Sequence, residues 1–207
     1  ATEMIMNGKE YPLLIPMSKI AGKLAVQKGM QFLEYSAKGK GVLLSAISEE
    51  KNSKVTVIGC GEVGRASIHK SIQIGASVTA IDVNENTLKD LKNQYGDNIS
   101  TFVNGTEEAA NAVRLADLVI GSVLLPGRKP PIVISEEDIN KMEKGSVIID
   151  VAIDQGGCVE GVKPNTHSEP FEIRNGVIVS AIANLPGAVP RTSSIELSTN
   201  LQKYVGN

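Results

Sequence analysis

From Lys54 onward, short apolar runs alternate with longer segments in which apolar residues recur every three or four positions. Short β-branched runs are typical of buried strands, and the longer periodic segments are typical of amphipathic helices. This alternation predicts an α/β fold, a doubly wound parallel sheet with helices on both faces. The six predicted strands are KVTVIG (54–59), SVTAID (77–82), NISTFV (98–103), DLVIGSVLL (117–125), GSVIIDVAID (145–154) and GVIVSAIAN (176–184).

Helices are predicted between these strands. Thr106 and Ser135 are suitable N-caps for two of them, because a hydroxyl group can accept hydrogen bonds from the first N–H groups of a helix. The helical segments are EVGRASIHKSIQIG (62–75), NENTLKDLKNQY (84–95), TEEAANAVRLA (106–116) and SEEDINKM (135–142).

The chain before the first strand predicts one long connecting helix, MSKIAGKLAVQKGMQFLE (17–34), after an extended stretch over residues 1–16. Ser18 is the predicted N-cap of this helix. Small residues recur every four positions along it and permit close approach of a second backbone: Ala21, Ala25 and Gly29.

The composition is that of an ordinary globular domain, since 42% of the 207 residues are hydrophobic and 21% are charged. A net charge of -2 gives no attraction to nucleic acid or to an anionic membrane, and no run approaches the ~18 apolar residues of a membrane span.

Cys60 and Cys158 form no C-x-x-C pair, so we predict neither a disulfide framework nor a metal site and favour a reducing, cytoplasmic location. The chain has no signal-peptide pattern and no initiator Met, which favours a start inside a longer protein.

The segment VIGCGEVG (57–64) has glycines at the spacing G-x-G-x-x-G, directly after a predicted strand and at the start of a predicted helix. Spacing alone is a weak signal because glycines also serve simple turns, but this context is typical of a dinucleotide-binding turn. Gly59 can make the tight turn, Gly61 lets the backbone approach a pyrophosphate, and Gly64 lets the helix pack close to the strand. We therefore predict a Rossmann fold that binds a dinucleotide.

Asp82 ends the second predicted strand about 20 residues after the glycine turn, where a carboxylate bonds the adenine-ribose hydroxyl groups. A carboxylate there repels a 2′-phosphate, so the sequence favours NAD over NADP. The alternative role is a cap for the following helix, and the two roles are compatible.

Ligands of open α/β sheets bind outside the carboxyl ends of the strands, where this chain has several polar residues. Asp154 ends the fifth predicted strand, close to Asp150, and is followed by a flexible Gln-Gly-Gly stretch. We take Asp154 as the leading candidate, with a turn-stabilising aspartate as the alternative. Asn184 ends the sixth predicted strand and has the amide to bond a carboxamide, or it closes a turn.

The remaining candidates favour structural roles. His69 lies within a predicted helix, where a packed or solvated imidazole is the ordinary role, and His167 is expected in a loop. Cys60 stands within the glycine turn and is expected to pack rather than to react.

Seven segments cover most of the chain: MSKIAGKLAVQ, GVLL, VTVIGCGEVG, VTAIDVN, RLADLVIGSVLLPGRKPP, KGSVIIDVAIDQGGCVEG and ANLPGAVPRTS. Together they resemble the NAD-binding domain of alanine dehydrogenase, and they follow one another in that family's order. VAIDQGG and ANLPGAVPRTS are the specific ones, whereas the sister family, the NAD(H)-binding subunit of the proton-translocating transhydrogenase, lacks the IDQGG stretch. SAISEEKNSK (45–54) departs from the Gly/Pro-rich segment usual in the family.

The resemblance implies a role for each part of the site. Asp154 would face both the nicotinamide and the substrate and is the implied catalytic residue. The predicted cofactor-binding residues are Ser18 near the phosphates, Gly59, Gly61, Glu62, Val63 and Gly64 along the pyrophosphate turn, Asp82 at the adenine ribose, Val123 and Leu124 at the adenosine or the nicotinamide ribose, and Ile153 and Asn184 at the nicotinamide.

The resemblance also implies an activity, the oxidation of L-alanine by NAD to pyruvate and ammonium in a homo-oligomer. We expect an inter-domain segment and connecting helix over residues 1–36, the Rossmann domain over 37–190, and the start of a return helix toward a substrate domain over 191–207. The family's catalytic lysine and histidine and its carboxylate-binding arginine precede the segment that resembles residues 1–16. The chain alone is therefore expected to bind NAD without turning over alanine. The alternatives are a stand-alone NAD(H)-binding module like the transhydrogenase subunit and a non-catalytic relic.

Overall fold

The computed structural model describes residues 11–47, 53–125 and 128–205. These residues form a seven-stranded sheet whose neighbouring strands are parallel except for the last pair at one edge. The strands are β1 (Lys54–Ile58), β2 (Ser77–Asp82), β3 (Ile99–Val103), β4 (Leu118–Gly121), β5 (Val147–Asp150), β6 (Glu172–Arg174) and β7 (Val177–Ser180). Their order in the sheet, β3-β2-β1-β4-β5-β7-β6, confirms the predicted doubly wound α/β architecture.

Helices cover both faces of the sheet. They are α1 (Leu14–Phe32), α2 (Glu62–Gln73), α3 (Glu85–Tyr95), α4 (Glu107–Arg114), α5 (Glu136–Lys141) and α6 (Pro190–Val205). Alternate strand residues belong to separate cores, as Leu118 and Ile120 pack in one and Val119 packs in the other. Residues of α1, α2 and α3 complete the first core, and residues of α4 and α5 complete the second. A parallel sheet buried on both faces explains why its strands read as continuous apolar runs.

Three helices begin where the sequence provides a capping side chain. Asn84 accepts hydrogen bonds from backbone N–H groups at the start of α3, and Thr106 does so for α4. Ser135 forms a capping box with Asp138 at the start of α5. The predicted N-caps Thr106 and Ser135 are confirmed.

The prediction of Ser18 as the N-cap of α1 is wrong. The helix begins at Leu14, so Ser18 lies within it, one turn further on. Pro16 suggested an extended stretch, but proline is tolerated in a first helical turn because its missing N–H would have no partner there. Residues 1–10 of that stretch, like residues 48–52 of SAISEEKNSK, lie outside the described residues.

The fifth strand ends at Asp150, so the prediction that Asp154 ends this strand is wrong. The buried carboxylate of Asp150 accepts hydrogen bonds at 2.7–3.0 Å from three backbone N–H groups between residues 152 and 159. These bonds fold the chain back as soon as it leaves the sheet. Asp154 consequently lies in a 3₁₀ helix, Ile153–Gln155, on the resulting turn.

α1 packs closely against α2 and the sheet. A Cβ at Gly22 would overlap the carbonyl oxygen of Val63, and a Cβ at Gly29 would lie 2.5 Å from the Leu118 side chain. Ser67 Oγ donates a hydrogen bond to the Gly22 carbonyl oxygen at 2.9 Å. The small residues thus permit close approach, and α1 is held against the helix that begins at the glycine turn.

Lys40 links the segment after α1 to the amino end of β4. Its Nζ lies 2.6 Å from Asp117 Oδ1 and 2.6 Å from Glu143 Oε2, and the Lys40 and Asp117 side chains are only 11% and 10% exposed. Burial alone would lower the pKa of Lys40, but its hydrogen bonds to the two carboxylates outweigh burial and raise this pKa above 10.5. The ion pair therefore stabilises the fold.

Replacing Lys40 by Met is expected to lower the free energy of unfolding by about 3 kcal/mol at neutral pH, because Asp117 stays buried without its cation. A cation whose pKa is higher in the folded state stabilises the fold fully at pH values below its ordinary pKa. This stabilisation is lost as the pH rises through the pKa of the folded state. Denaturant titrations should therefore show the difference between the wild type and Lys40→Met shrinking above pH 10.5. A difference that is independent of pH would contradict the ion-pair explanation.

The control is Lys89→Met, which removes the partner of Glu85 from an ion pair on α3 whose side chains are both well exposed. Exposed pairs contribute little, so this variant should change the free energy of unfolding by less than about 1 kcal/mol.

Candidate functional site

The carboxyl ends of β1 and β4 are adjacent in the sheet, and the chain leaves them toward opposite faces. α2 follows β1 and covers one core, whereas α5 follows β4 and covers the other. A crevice forms at such a switch point, and this is where open α/β sheets bind their ligands.

Two glycines of the motif are required by the fold itself. Gly59 has a φ of +87°, and a Cβ there would lie 2.8 Å from the carbonyl oxygen of Ser122. A Cβ at Gly64 would overlap the carbonyl oxygen of Gly59. Ser122 Oγ donates a hydrogen bond to that same oxygen at 2.7 Å, which fixes the turn against the end of β4.

Gly61 differs, because no heavy atom of the described residues outside its chain neighbours lies within 4 Å of a Cβ built there. Its φ of -72° and ψ of -160° are open to any residue. The fold thus does not need glycine at this position. The space beside Gly61 fits a ligand that approaches the backbone, which is the role of the second glycine in a dinucleotide turn.

Gly61 is also the N-cap of α2. Having no side chain, it cannot supply the capping oxygen that Asn84, Thr106 and Ser135 supply to the next three helices. The first N–H groups of α2 therefore remain open to an anion, and the helix dipole favours negative charge at this end. Together these properties suit a phosphate group.

Asp82 joins the glycine turn to the start of α3. Its Oδ2 accepts a hydrogen bond from the Cys60 N–H at 2.7 Å, and its Oδ1 accepts one from the Asn84 N–H at 2.9 Å. Asn84 is the N-cap of α3, so the alternative role of Asp82 as that cap is wrong. The half-buried carboxylate stands beside the glycine turn, and its contact with a ribose stays a prediction.

Three polar groups near the site are buried and structural. Burial and the neighbouring Asp82 raise the pKa of the Cys60 thiol to about 12. Burial also raises the pKa of Cys158, and Asp150 beside it adds to this rise. Burial raises the pKa of Asp150 as well, against the effect of its hydrogen bonds to backbone N–H groups. Neither thiol forms a thiolate readily, so Cys60 packs rather than reacts.

Asp154 and Asn184 meet across the ends of β5 and β7. The backbone N–H of Asn184 lies 3.2 Å from Asp154 Oδ1 and 3.3 Å from Oδ2. Asn184 has left-handed backbone angles, φ 53° and ψ 54°, which asparagine tolerates better than most residues. This conformation lets the Asn184 N–H hold the exposed Asp154 carboxylate in place.

A cavity of about 380 Å³ runs along the carboxyl ends of β4, β5 and β7 and is bordered by α1. Its volume lies near the lower end of small-ligand pockets, about 300–1,000 Å³, so it suits one end of a dinucleotide. The predicted site residues that line it are Ser18, Val63, Val123, Leu124, Asp154 and Asn184.

The other predicted residues lie outside this lining. Ile153 is buried, and its side chain packs near Gly157. The remaining residues form the glycine turn and its border: Gly59, Gly61, Glu62, Gly64 and Asp82.

From α1 and its N-cap, the sequence prediction named Ser18 alone and missed the apolar residues beside it. Leu13, Leu14 and Met17 also line the cavity. The apolar run before Ser18 was the available signal. Gln155 and Leu185 also belong to the lining, next to Asp154 and Asn184.

The two histidines lie outside the cavity lining. His69 is exposed on α2, and its Nδ1 lies 3.3 Å from the Tyr95 hydroxyl group. His167 is exposed in a loop, as predicted. Among the described residues, no group of three or more His, Cys, Asp or Glu side chains could hold a metal ion.

A second cavity, of about 300 Å³, opens at the amino ends of β1, β2 and β3, where Lys54 and Ser77 line it. It lies at the opposite edge of the sheet from the glycine turn, so the switch-point rule does not favour it as the ligand site.

None of the helices in the described part of the chain is long and apolar enough to cross a bilayer.

In dinucleotide-binding Rossmann domains, the backbone at the switch point of the sheet is open to a ligand. This fold has that feature and belongs to that class. Within the class, the chain belongs to the family of the alanine dehydrogenase/PNT C-terminal domain, whose model matches residues 25–207. Membership of this family implies NAD as the cofactor. The open space at Gly61 and the uncapped start of α2 fit its pyrophosphate.

Individual relatives agree with this family. The chain is 46% identical over 205 residues to the alanine dehydrogenase of Bacillus subtilis (strain 168), and this match covers 99% of this chain and 54% of that protein. It is 43% identical over 198 residues to the alanine dehydrogenase of Geobacillus stearothermophilus, and this match covers 95% of this chain and 53% of that protein. The chain therefore spans about half the length of the curated relatives it matches.

Solved structures show the same fold. A structure of L-alanine dehydrogenase matches with a TM-score of 0.93 at 40% identity, over 99% of this chain and 57% of that chain. The transhydrogenase from Sinorhizobium meliloti matches with a TM-score of 0.76 at 24% identity, over 93% of this chain and 55% of that chain. The second match shows the shared fold alone.

Proposed function

We propose that this chain is the NAD(H)-binding part of an L-alanine dehydrogenase, which converts L-alanine, NAD and water into pyruvate, ammonium, NADH and a proton. The open space beside Gly61, at the uncapped start of α2, carries the cofactor half of this proposal. Alanine as substrate is supported by relatives that are alanine dehydrogenases at 42–46% identity.

NAD, when bound, would accept a hydride from the α-carbon of alanine. The N–H groups at the start of α2 would hold the pyrophosphate, and Asp82 would accept hydrogen bonds from the adenine ribose. Ser18, Val123 and Leu124 would border the cofactor along the cavity. These contacts would orient the nicotinamide end toward the turns that carry Asp154 and Asn184.

Asp154 would act on the substrate side. As hydride leaves, positive charge grows on the former amine group of alanine, which becomes an iminium before water adds to it. The exposed carboxylate of Asp154, held by the Asn184 N–H, would stabilise this charge. Proton transfer and the grip on the alanine carboxylate are assigned to the substrate domain.

The test of the alanine reaction uses the full-length protein that contains this chain. Purified enzyme should form NADH from L-alanine and consume NADH with pyruvate and ammonium, at rates far above those of the 207-residue chain alone. NAD binding without alanine-dependent NADH formation by the full-length protein would instead favour a stand-alone NAD(H)-binding module. The cytoplasmic location, the homo-oligomer and the division at residues 36 and 190 belong to the same proposal.

Asp82 is expected to set the choice of cofactor. The chain should bind NAD more tightly than NADP, and Asp82→Ala should weaken NAD binding by about 1–3 kcal/mol, the value of a hydrogen bond to a charged group. Because Asp82 also holds the Cys60 and Asn84 N–H groups, loop disorder alone would weaken both cofactors equally. Calorimetry should therefore show the preference for NAD falling in the variant, and an unchanged preference would refute the ribose contact.

A further inference from the structure

Two opposite charges stand at the pyrophosphate turn. Glu62 is the first residue of α2, directly after Gly61, and Lys19 lies on α1 next to Ser18. Lys19 Nζ is 3.8 Å from Glu62 Oε2. Glu62 thus places a carboxylate at the helix end that has to receive a phosphate.

This ion pair contributes little to the fold. The side chains of Lys19 and Glu62 are 59% and 46% exposed, and exposed pairs are worth little because water screens them. The close packing of α1 on α2 at Gly22 and Ser67 already fixes the two helices. Both charges therefore remain available to a ligand.

A dinucleotide brings two negative charges to the space beside Gly61. Glu62 directly follows Gly61, so its carboxylate lies close to these charges and repels them. The Lys19 ammonium attracts them. Charges a few ångströms apart at a protein surface interact appreciably, and salt screens this interaction. Removing either side chain's charge should change the affinity for the pyrophosphate measurably.

We propose that Lys19 and Glu62 set the affinity for the cofactor pyrophosphate in opposite directions. In the free chain Glu62 pairs with Lys19, and on binding Lys19 turns from Glu62 to the pyrophosphate while Glu62 weakens the complex. The proposal rests on the proposed NAD binding and deepens it. The same effect applies to any ligand with a diphosphate and is absent for adenosine.

Calorimetry on this chain with NAD, ADP and adenosine tests the proposal. Glu62→Gln should bind NAD and ADP about 3- to 10-fold more tightly, and Lys19→Gln should bind both about 3- to 10-fold more weakly. Adenosine affinity should not change in either variant. Both effects should decrease as the salt concentration rises.

The matched control is Glu107→Gln, which removes the same charge from the first residue of α4. Glu107 pairs with Arg114, and α4 follows the edge strand β3, two strands away from β1. This variant should leave all three affinities unchanged. An equal gain in Glu107→Gln would mean that net charge, and not position, acts on the ligand.

The outcomes separate two failures. If the wild-type chain binds NAD but Glu62→Gln binds it equally or more weakly, the role of Glu62 is refuted and NAD binding stands. If the wild-type chain binds neither NAD nor ADP, both the proposed function and this inference are refuted.

Discussion

Gly61→Val should fold like the wild-type chain and lose NAD affinity by about 100-fold or more, which corresponds to about 2.8 kcal/mol. The backbone angles of Gly61 are open to any residue, and a Cβ there meets no described atom beyond its chain neighbours. A branched side chain would instead fill the space through which the pyrophosphate reaches the N–H groups of α2. Calorimetry with NAD and circular dichroism of the same preparation measure both properties.

Gly64→Val provides the contrast three positions further on. A Cβ at Gly64 would overlap the Gly59 carbonyl oxygen, which is a backbone atom fixed by Ser122 and cannot move aside cheaply. We therefore expect this variant to lose about 3 kcal/mol of stability, or to fail to fold. If Gly61→Val retains wild-type NAD affinity, the motif is only a turn. If Gly61→Val unfolds as Gly64→Val does, the fold itself requires glycine at position 61.

The central part of the fold could be predicted because its strands are buried on both faces. Such strands read as continuous apolar runs. Each of the first four strands is also followed by a helix with its own local start signal. The antiparallel edge strand β6 was not predicted, since Glu172–Arg174 is short and polar. Its signal was the Asn175-Gly176 pair, whose φ values of 50° and 86° are those of a two-residue hairpin turn.

The site was predictable where it is local in sequence. The glycine turn and Asp82 follow from the position of residues relative to the ends of β1 and β2. The contact between the Asn184 N–H and Asp154 joins residues 30 positions apart, and it depends on how two turns fold beyond the sheet. Asp150 and Asp154 look alike in the sequence, yet one is buried among N–H groups and the other is exposed at the cavity.

Asp154→Asn in the full-length enzyme should lower kcat by about 100-fold and leave the NAD dissociation constant nearly unchanged. The Asp154 side chain lines the cavity at the end of β5, away from the glycine turn that would hold the pyrophosphate. Asparagine keeps an acceptor for the Asn184 N–H, so the turn should keep its shape while the negative charge is lost. An interaction with charge that develops only during hydride transfer changes the rate without changing ground-state binding.

Both quantities should be measured on one preparation, with Glu169→Gln as the control. Glu169 is an exposed carboxylate that does not line the cavity, so its loss should change neither kcat nor NAD affinity. If NAD affinity falls in Asp154→Asn while kcat at saturating NAD survives, Asp154 holds the cofactor and does not act on the substrate. A normal kcat together with normal NAD affinity would leave Asp154 with the structural role alone, as the acceptor that fixes the turn at Asn184.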